Sequence, residues 1–520
     1  MEPLLLIVAA LVVTAVARRF NRSSALLLVV VGLGVSYLPG MPDFQIRPDL
    51  VLTLIVPPLL YSAALDSSYL GFRANVRPIA LLAVMLVLVT TAGVGFVAYW
   101  LIPGLPLSSA LVLGAVVAPP DAVAAVSIGR RLGLPRRVMT ILTGESLVND
   151  ATALTVFKVA VAAAVGAATS FGGAVLTFLI ASVGGVAVGL VLGWLIHAIR
   201  LRLADSVLES AVGMVVPFAA YLFAEAVHGS GVLAVVTTGL YLGHFAPYAG
   251  FATRLQETAV WRTFDVLLES VVFALIGLNF RFVFGQAGAH GHPAASLVWP
   301  IVAVLLATML IRLVWCFPAT YLPVWVRSRG HRPEKAPSWR VIAVLSWSGM
   351  RGVVSLAAAA AVPTSVPGRD LVLLLAFTVT VGTLLIQGTT LPWLIRKLGV
   401  HGTEDMSDAL AEAQAAHNAA AAAVARLDEL VADEDSYTPE HDVERLRMLA
   451  QKRSNTVWER LGRQDVERPA ATFRRLRLET LAAERAAYVT ARNNGEIDDE
   501  VLRRVLRELD LEEARLVVRE

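Results

Sequence analysis

Glu145 and Asp150 lie five positions apart in the stretch Leu142-Thr143-Gly144-Glu145-Ser146-Leu147-Val148-Asn149-Asp150-Ala151, within a run otherwise apolar enough for hydrocarbon. A charge held there costs at least a few kcal/mol, so such a group is a functional candidate by default. A carboxylate in that position can take up a proton or hold a cation. At about 100° per residue, Glu145 and Asn149 share a helix face, and Asp150 lies about 140° round from Glu145. The two carboxylates therefore meet different neighbours. One can be neutralised permanently by a basic partner while the other stays free to titrate.

Two further stretches belong with this one. In Ala118-Pro119-Pro120-Asp121-Ala122, consecutive prolines remove two backbone donors and break the helix in mid-membrane. Freed carbonyls survive at that depth only beside a cavity or within protein, and Asp121 is placed to cap the second half-helix and offset its positive end. In Trp347-Ser348-Gly349-Met350-Arg351-Gly352, glycines loosen the helix around a buried Arg351, the cation available to Glu145. Apolar runs also contain Lys158, Glu209, Glu225, Glu269 and Arg312. Glu209 and Glu225 fall near helix ends and reach water. Glu269 and Arg312 sit deeper, either paired with each other or lining an ion path. Lys158 follows Asp150 by eight residues on nearly the same face, where it either modulates Asp150 or extends to the surface.

The elements that carry these residues are long and apolar. A crossing helix needs about 20 residues, and thirteen segments qualify: 4–17, 24–38, 50–65, 79–101, 108–128, 138–165, 170–197, 206–227, 231–247, 263–283, 295–323, 340–362 and 369–394. Basic residues accumulate on alternate loops, as they do on the cytoplasmic side of a membrane. Odd-numbered loops hold 18 Lys and Arg, including Arg18, Arg19, Arg22, Arg73, Arg77, Arg130, Arg136, Arg329, Arg332 and Lys335; even-numbered loops hold about three, Arg47, Arg281 and Arg369. That asymmetry predicts an external N-terminus and a cytoplasmic C-terminus. The interrupted segments are seven apart, so they run in opposite directions, as inverted repeats of segments 1–6 and 8–13 require. Paired broken helices of this kind mark a transporter's midplane site.

Charge divides the chain in two. Residues 1–400 hold 26 Lys and Arg against 15 Asp and Glu, whereas residues 401–520 hold 18 against 26. The expected architecture is an all-α polytopic membrane domain over 1–398 and a soluble, acidic helical domain over 401–520. Within the latter, helices over 409–431, 441–461, 470–493 and 498–519 are separated by Asp433–Pro439, Pro469 and Asn493-Asn494-Gly495. A small bundle or dimerisation element fits this pattern, and no ligand for it is identifiable. The basic excess lies in short loops, so nucleic acid is not an expected partner. Cys316 is the only cysteine and excludes an intramolecular disulfide or a cysteine zinc site. No cleavable signal is expected, because the first apolar run, Leu4–Ala17, leads into Arg18-Arg19 with no basic region before it and no small-residue cleavage site. Gly144-Glu145-Ser146 lacks the remainder of a nucleophile elbow, so an enzyme is not expected, and no carbonyl-lined filter repeat favours a channel.

Over residues 1–398 the chain resembles the monovalent cation:proton antiporter-1 family, the NhaP-type and animal sodium/proton exchangers. The resemblance rests on Gly144–Asp150, on Pro120-Asp121 with Val123-Ala124, on Gly349-Met350-Arg351-Gly352 and on Ser230-Gly231-Val232-Leu233-Ala234. It implies a monovalent cation site at Asp150, with Ser146 and oxygens near Asp121 contributing and Asn149 holding the site in shape. It also implies a structural Glu145–Arg351 bridge, and a homodimer in which segments 4–6 and 11–13 move against the rest. In segment five, Pro and Ala flank Asp121 where relatives commonly carry Thr or Val and then Pro, which removes a side-chain ligand. Na⁺ is the expected cation and K⁺ the alternative; the cation and the proton are substrates, and no cofactor is expected. Compact loops point to a bacterial plasma (inner) membrane. The chemistry is competition: burial disfavours a carboxylate's charge and a nearby cation favours it, so proton and cation exclude one another. With Asn149 rather than a second acid beside Asp150, exchange is expected to be one-for-one and electroneutral.

Overall fold

In the computed structural model, residues 2–20, 23–39, 50–166, 171–203, 205–279, 281–282, 294–328, 337–402, 405–432, 439–461, 469–494 and 499–517 are described. Arg22, Arg47, Arg329, Arg332 and Lys335, residues 433–438 and Gly495 lie outside them. The described residues contain no strand. They divide into two compact units, Met1–Gly402 and Thr403–Glu520.

In the first unit every predicted segment folds as helix, continuous or interrupted. The helices are α1 (Glu2–Arg19), α2 (Ser24–Ser36), α3 (Val51–Leu65), a short α4 (Tyr69–Ala74), α5 (Val76–Leu101), α6 (Leu107–Val117), α7 (Ala122–Arg131) and α8 (Arg136–Ala164). They continue as α9 (Phe171–Arg200), α10 (Ser206–Ala226), α11 (Gly231–Phe245), α12 (Phe251–Leu278), α13 (Ala294–Ser328), α14 (Trp339–Trp347), α15 (Val353–Ala360) and α16 (Arg369–Leu398). Among the described residues, seven stretches are long and apolar enough to cross a membrane: α5, α6 with α7, α8, most of α9, α10, most of α13, and α16. α2 and α3 are apolar but shorter. α12 starts twelve residues before the predicted segment, because the charged run from Arg254 to Arg262 continues the helix instead of ending it.

Local chemistry accounts for the interruptions. In α3, Pro57 and Pro58 cannot donate to the preceding turn, and residues Val51–Ile55 widen into a π turn. Pro119-Pro120 separates α6 from α7, and Asp121 is the extended N-cap residue (φ −93°, ψ 124°) whose carboxylate accepts from the Val123 amide at 2.8 Å. No proline lies between α14 and α15, and Gly352 adopts φ −135°, ψ −148° there.

The helices sort into two bundles. α5, α6, α8, α13 and α16 pack on one another with the half-helices α14 and α15 between them; α2 packs on α12, and α11 on α3, α9 and α10. The outward faces are apolar. Along α9, Leu176, Leu179, Ile180, Val183, Val191 and Trp194 are all exposed, a stripe stable only against lipid or protein, since apolar surface left in water costs about 25 cal/mol per Å².

The second unit contains α17 (Asp405–Val431), α18 (Glu440–Leu461), α19 (Pro469–Asn493) and α20 (Asp499–Val517). α17 packs on α18 and α19 on α20. Exposed ion pairs link each couple: Arg447 with Asp428 at 2.6 Å, and Arg477 with Glu512 and Arg485 with Asp510 at 2.8 Å each.

Candidate functional site

The two interruptions meet. The Asp121 amide donates to the Met350 carbonyl at 2.7 Å, so each break supplies a partner that the other's lost helical bonds leave open. Asp121 lies at both half-helix N-termini: its carboxylate accepts from the Val123 amide of α7 and packs against Gly352, the residue before α15. Arg351 serves the opposite ends. Its Nε donates to the carbonyl of Val117, the last residue of α6, at 2.7 Å, and its Nη1 to that of Gly349, two residues past the end of α14. The acid thus lies beside positive helix ends and the base beside negative ones, in both breaks. The Arg351 amide is held by Thr383 Oγ1 of α16 at 3.1 Å.

Gly352 permits this crossing. A Cβ at that position would overlap the Asp121 carboxylate. Gly352→Ala therefore forces the two breaks apart, and we expect a loss of about 1–3 kcal/mol, typical of overpacking, read as a lower melting temperature in detergent. An unchanged melting temperature would contradict the crossing as described.

α8 runs beside the crossing and contributes three residues to it. Ser146 Oγ accepts from the Ala122 amide at 3.3 Å. Asn149, fully buried, donates from Nδ2 to the Pro120 carbonyl at 2.9 Å; it holds a freed carbonyl in place and does not line the cavity. Asp150 is 6% exposed, and among the described residues no hydrogen bond or ion pair engages its carboxylate. A buried acid left without a partner is in place to bind something that comes and goes.

The expected Glu145–Arg351 bridge is not formed. Glu145 pairs with Arg312 of α13, which donates from Nη1 to Oε1 and from Nη2 to Oε2 at 2.9 Å, with both residues 1% exposed. Arg312 also donates to Ser346 O and Leu345 O at 3.2 Å each. Arg351 is already committed to the Val117 and Gly349 carbonyls, and Arg312 presents a planar fork to the other face of α8. Arg312 is therefore not the partner of Glu269, and it does not line the cavity. Lys158 is also outside the cavity; it bonds to Glu225 at 3.0 Å in an exposed pair, tying α8 to α10. Glu209 accepts from Thr253 Oγ1 at 2.7 Å.

A cavity of about 700 Å³ lies between the bundles. Its inner end reaches Asp121, Ser146, Asp150 and Ser355, and its outer end reaches the exposed Asp66, Ser68, Ser127, Arg130 and Arg136. The facing wall carries Glu269 and, one turn before it, Asp265, whose Oδ2 accepts from Ser62 Oγ of α3 at 2.7 Å. Asp265 and Ser355 were not expected from the sequence. Asp265 is the third residue of the predicted segment 263–283, next to a charged run, and Ser355 sits in a run of small residues with no distinguishing pattern. The result is a largely apolar cavity that reaches exposed residues at one end and gathers carboxylates and hydroxyls at the other, with the unpaired Asp150 carboxylate among them.

A family model described as sodium/hydrogen exchanger, transmembrane, matches residues 6–397. A Na(+)/H(+) exchanger of Mycobacterium tuberculosis is 34% identical over 98% of this chain and 95% of its own length. The Na(+)/H(+) antiporter of Aphanothece halophytica is 32% identical over 72% of this chain and 70% of its own. Among solved structures, the sodium proton antiporter of Methanocaldococcus jannaschii at pH 8 matches with a TM-score of 0.56 at 18% identity, covering 76% of this chain and 97% of that one. At that identity the likeness is one of fold.

Proposed function

The chain belongs to the sodium/hydrogen exchanger family, and on that premise we propose that it exchanges a monovalent cation, Na⁺ first, for H⁺ through Asp150 by alternating access. The observation that carries this reading is the unpartnered, buried Asp150 carboxylate at the closed end of a cavity open on one side. A proton or a partly dehydrated cation satisfies that carboxylate, and the two cannot do so together. Asp121 and Ser146 supply oxygens beside it, and Asn149 keeps Pro120 in position. The bundle of α5–α8 and α13–α16 moves against the rest, carrying the site from one side to the other. Arg18, Arg130, Arg136 and Arg262 surround the outer part of the cavity. They belong to the basic loops, so the positive-inside rule favours an inward-facing state.

The wider reading is thirteen crossings with inverted repeats, an external N-terminus, residues 403–520 in the cytoplasm, a plasma-membrane location and a homodimer. Asp121 is engaged as the cap of α7, which leaves Asp150 as the single charge that changes on this wall of the site. Electroneutral one-for-one exchange follows.

Everted vesicles from an antiporter-deficient bacterium, acidified inside and loaded with a ΔpH dye, test this. Addition of Na⁺ is expected to restore fluorescence, and Li⁺ and K⁺ added in turn rank the cations. A response to K⁺ alone would make the protein a K⁺/H⁺ antiporter. Imposed diffusion potentials are expected to leave the rate unchanged; a rate that follows the potential would overturn the one-for-one stoichiometry. Silence with every cation across a pH series, also after removal of residues 403–520, would overturn exchange itself.

A further inference from the structure

Ser355 is 1% exposed, lines the inner end of the cavity with Asp121, Ser146 and Asp150, and has a buried Oγ without a hydrogen-bond partner. Its neighbours at the crossing behave differently. Ser346, Ser348 and Thr380 each donate to the carbonyl four residues back, at 2.7, 2.7 and 2.8 Å, the usual way a buried helical hydroxyl is satisfied. For Ser355 the carbonyl four residues back belongs to Arg351, inside the break, where the backbone is out of helical register. The interruption therefore deprives this hydroxyl of its routine acceptor. A buried hydroxyl with no protein partner among the described residues costs roughly 1–3 kcal/mol and is therefore placed to take a partner that enters the cavity.

We propose that Ser355 is a ligand of the transported cation, its hydroxyl oxygen coming from the second interrupted helix to join the oxygens around Asp150. The proposal rests on the exchange reading above and adds a specificity residue to it. Hard monovalent cations seek oxygen donors and surrender water according to how many the protein replaces. Pro and Ala flank Asp121 in this chain, so the first break has no side-chain donor beside that residue; the second break supplies one. In this arrangement the cation touches both interrupted helices, so its departure alters contacts at the crossing where they meet.

The test uses the full chain in proteoliposomes, comparing wild type with Ser355→Ala, Ser355→Thr and Ser355→Cys under Na⁺, Li⁺ and K⁺ gradients. Ser355→Ala is expected to raise the KM for the preferred cation by roughly three- to tenfold and to change the ranking of the three ions, with little change in maximal rate. Ser355→Thr keeps the hydroxyl and should restore both values; Ser355→Cys keeps the volume without the oxygen and should not. A second readout is the Na⁺-induced rise in melting temperature in detergent, which should shrink in the Ala and Cys variants. An active wild type with unchanged KM and ranking in Ser355→Ala, or in Ser355→Cys where the Ala variant fails to fold, would overturn the assignment and leave exchange standing. A wild type without exchange or cation-induced stabilisation would remove both.

Discussion

Asp150→Asn is expected to reduce cation-driven proton movement to the level of vesicles lacking the protein, while folded yield stays within about twofold of wild type. Asn is close in volume to Asp, so packing is little changed. No described hydrogen bond or ion pair is lost, because none engages Asp150. What disappears is the negative charge and the titrating group, and exchange needs both. Loss of a few kcal/mol of cation binding alone corresponds to at least about a hundredfold in affinity. The same reasoning predicts a gain: without a buried, uncompensated carboxylate the empty protein should melt at a higher temperature, and Na⁺ should no longer raise it. Asp150→Glu retains the charge but displaces it by one methylene, so reduced yet measurable exchange is expected. If Asp150→Asn exchanged at the wild-type rate, the titrating role would pass to Glu269, which faces the same cavity.

How much of this site is legible in the sequence depends on how locally each feature is determined. Both breaks are readable because Pro119-Pro120 and Gly349 to Gly352 act on their own backbone. The separation of Glu145 from Asp150 is readable because helical angle follows from spacing. The partner of Glu145 is not, since spacing gives the face of α8 and says nothing about which helix packs there. Arg312 lies 167 residues further along the chain, and Arg351, in the more distinctive motif, is the natural candidate until the Val117 and Gly349 carbonyls are seen to occupy it. Asp265 is hidden for a different reason. Arg254, Glu257 and Arg262 give the start of α12 the composition of a loop, which puts Asp265 at the very start of the predicted segment 263–283 instead of deep within α12, and the Arg200–Glu257 pair at 2.5 Å shows how one of those charges is accommodated within the packed bundle. Ser355 carries no sequence signal, because its availability follows from where the Arg351 carbonyl lies.

A double-mutant cycle on Glu145 and Arg312 is expected to show the largest stability coupling in the protein. Both residues are almost fully buried, and the guanidinium meets the carboxylate through two nitrogens. Removing one partner of such a pair leaves the other as an uncompensated charge, which costs about 3–5 kcal/mol. Glu145→Gln and Arg312→Gln should each lower the melting temperature and the folded yield sharply. The double variant should lose much less than the sum, with a coupling of about 2–3 kcal/mol. Arg312→Lys should rescue poorly, because a single ammonium cannot reach both carboxylate oxygens and the Leu345 and Ser346 carbonyls that Arg312 also serves. The same cycle run with Arg351 should give less than about 1 kcal/mol of coupling to Glu145, because Arg351 spends its donors on Val117 and Gly349. Reversed magnitudes would restore the bridge that the motifs alone suggest. The expected order means instead that α13 is clamped to α8 one turn from Asp150, fixing the helix that carries the exchange carboxylate while leaving that carboxylate free.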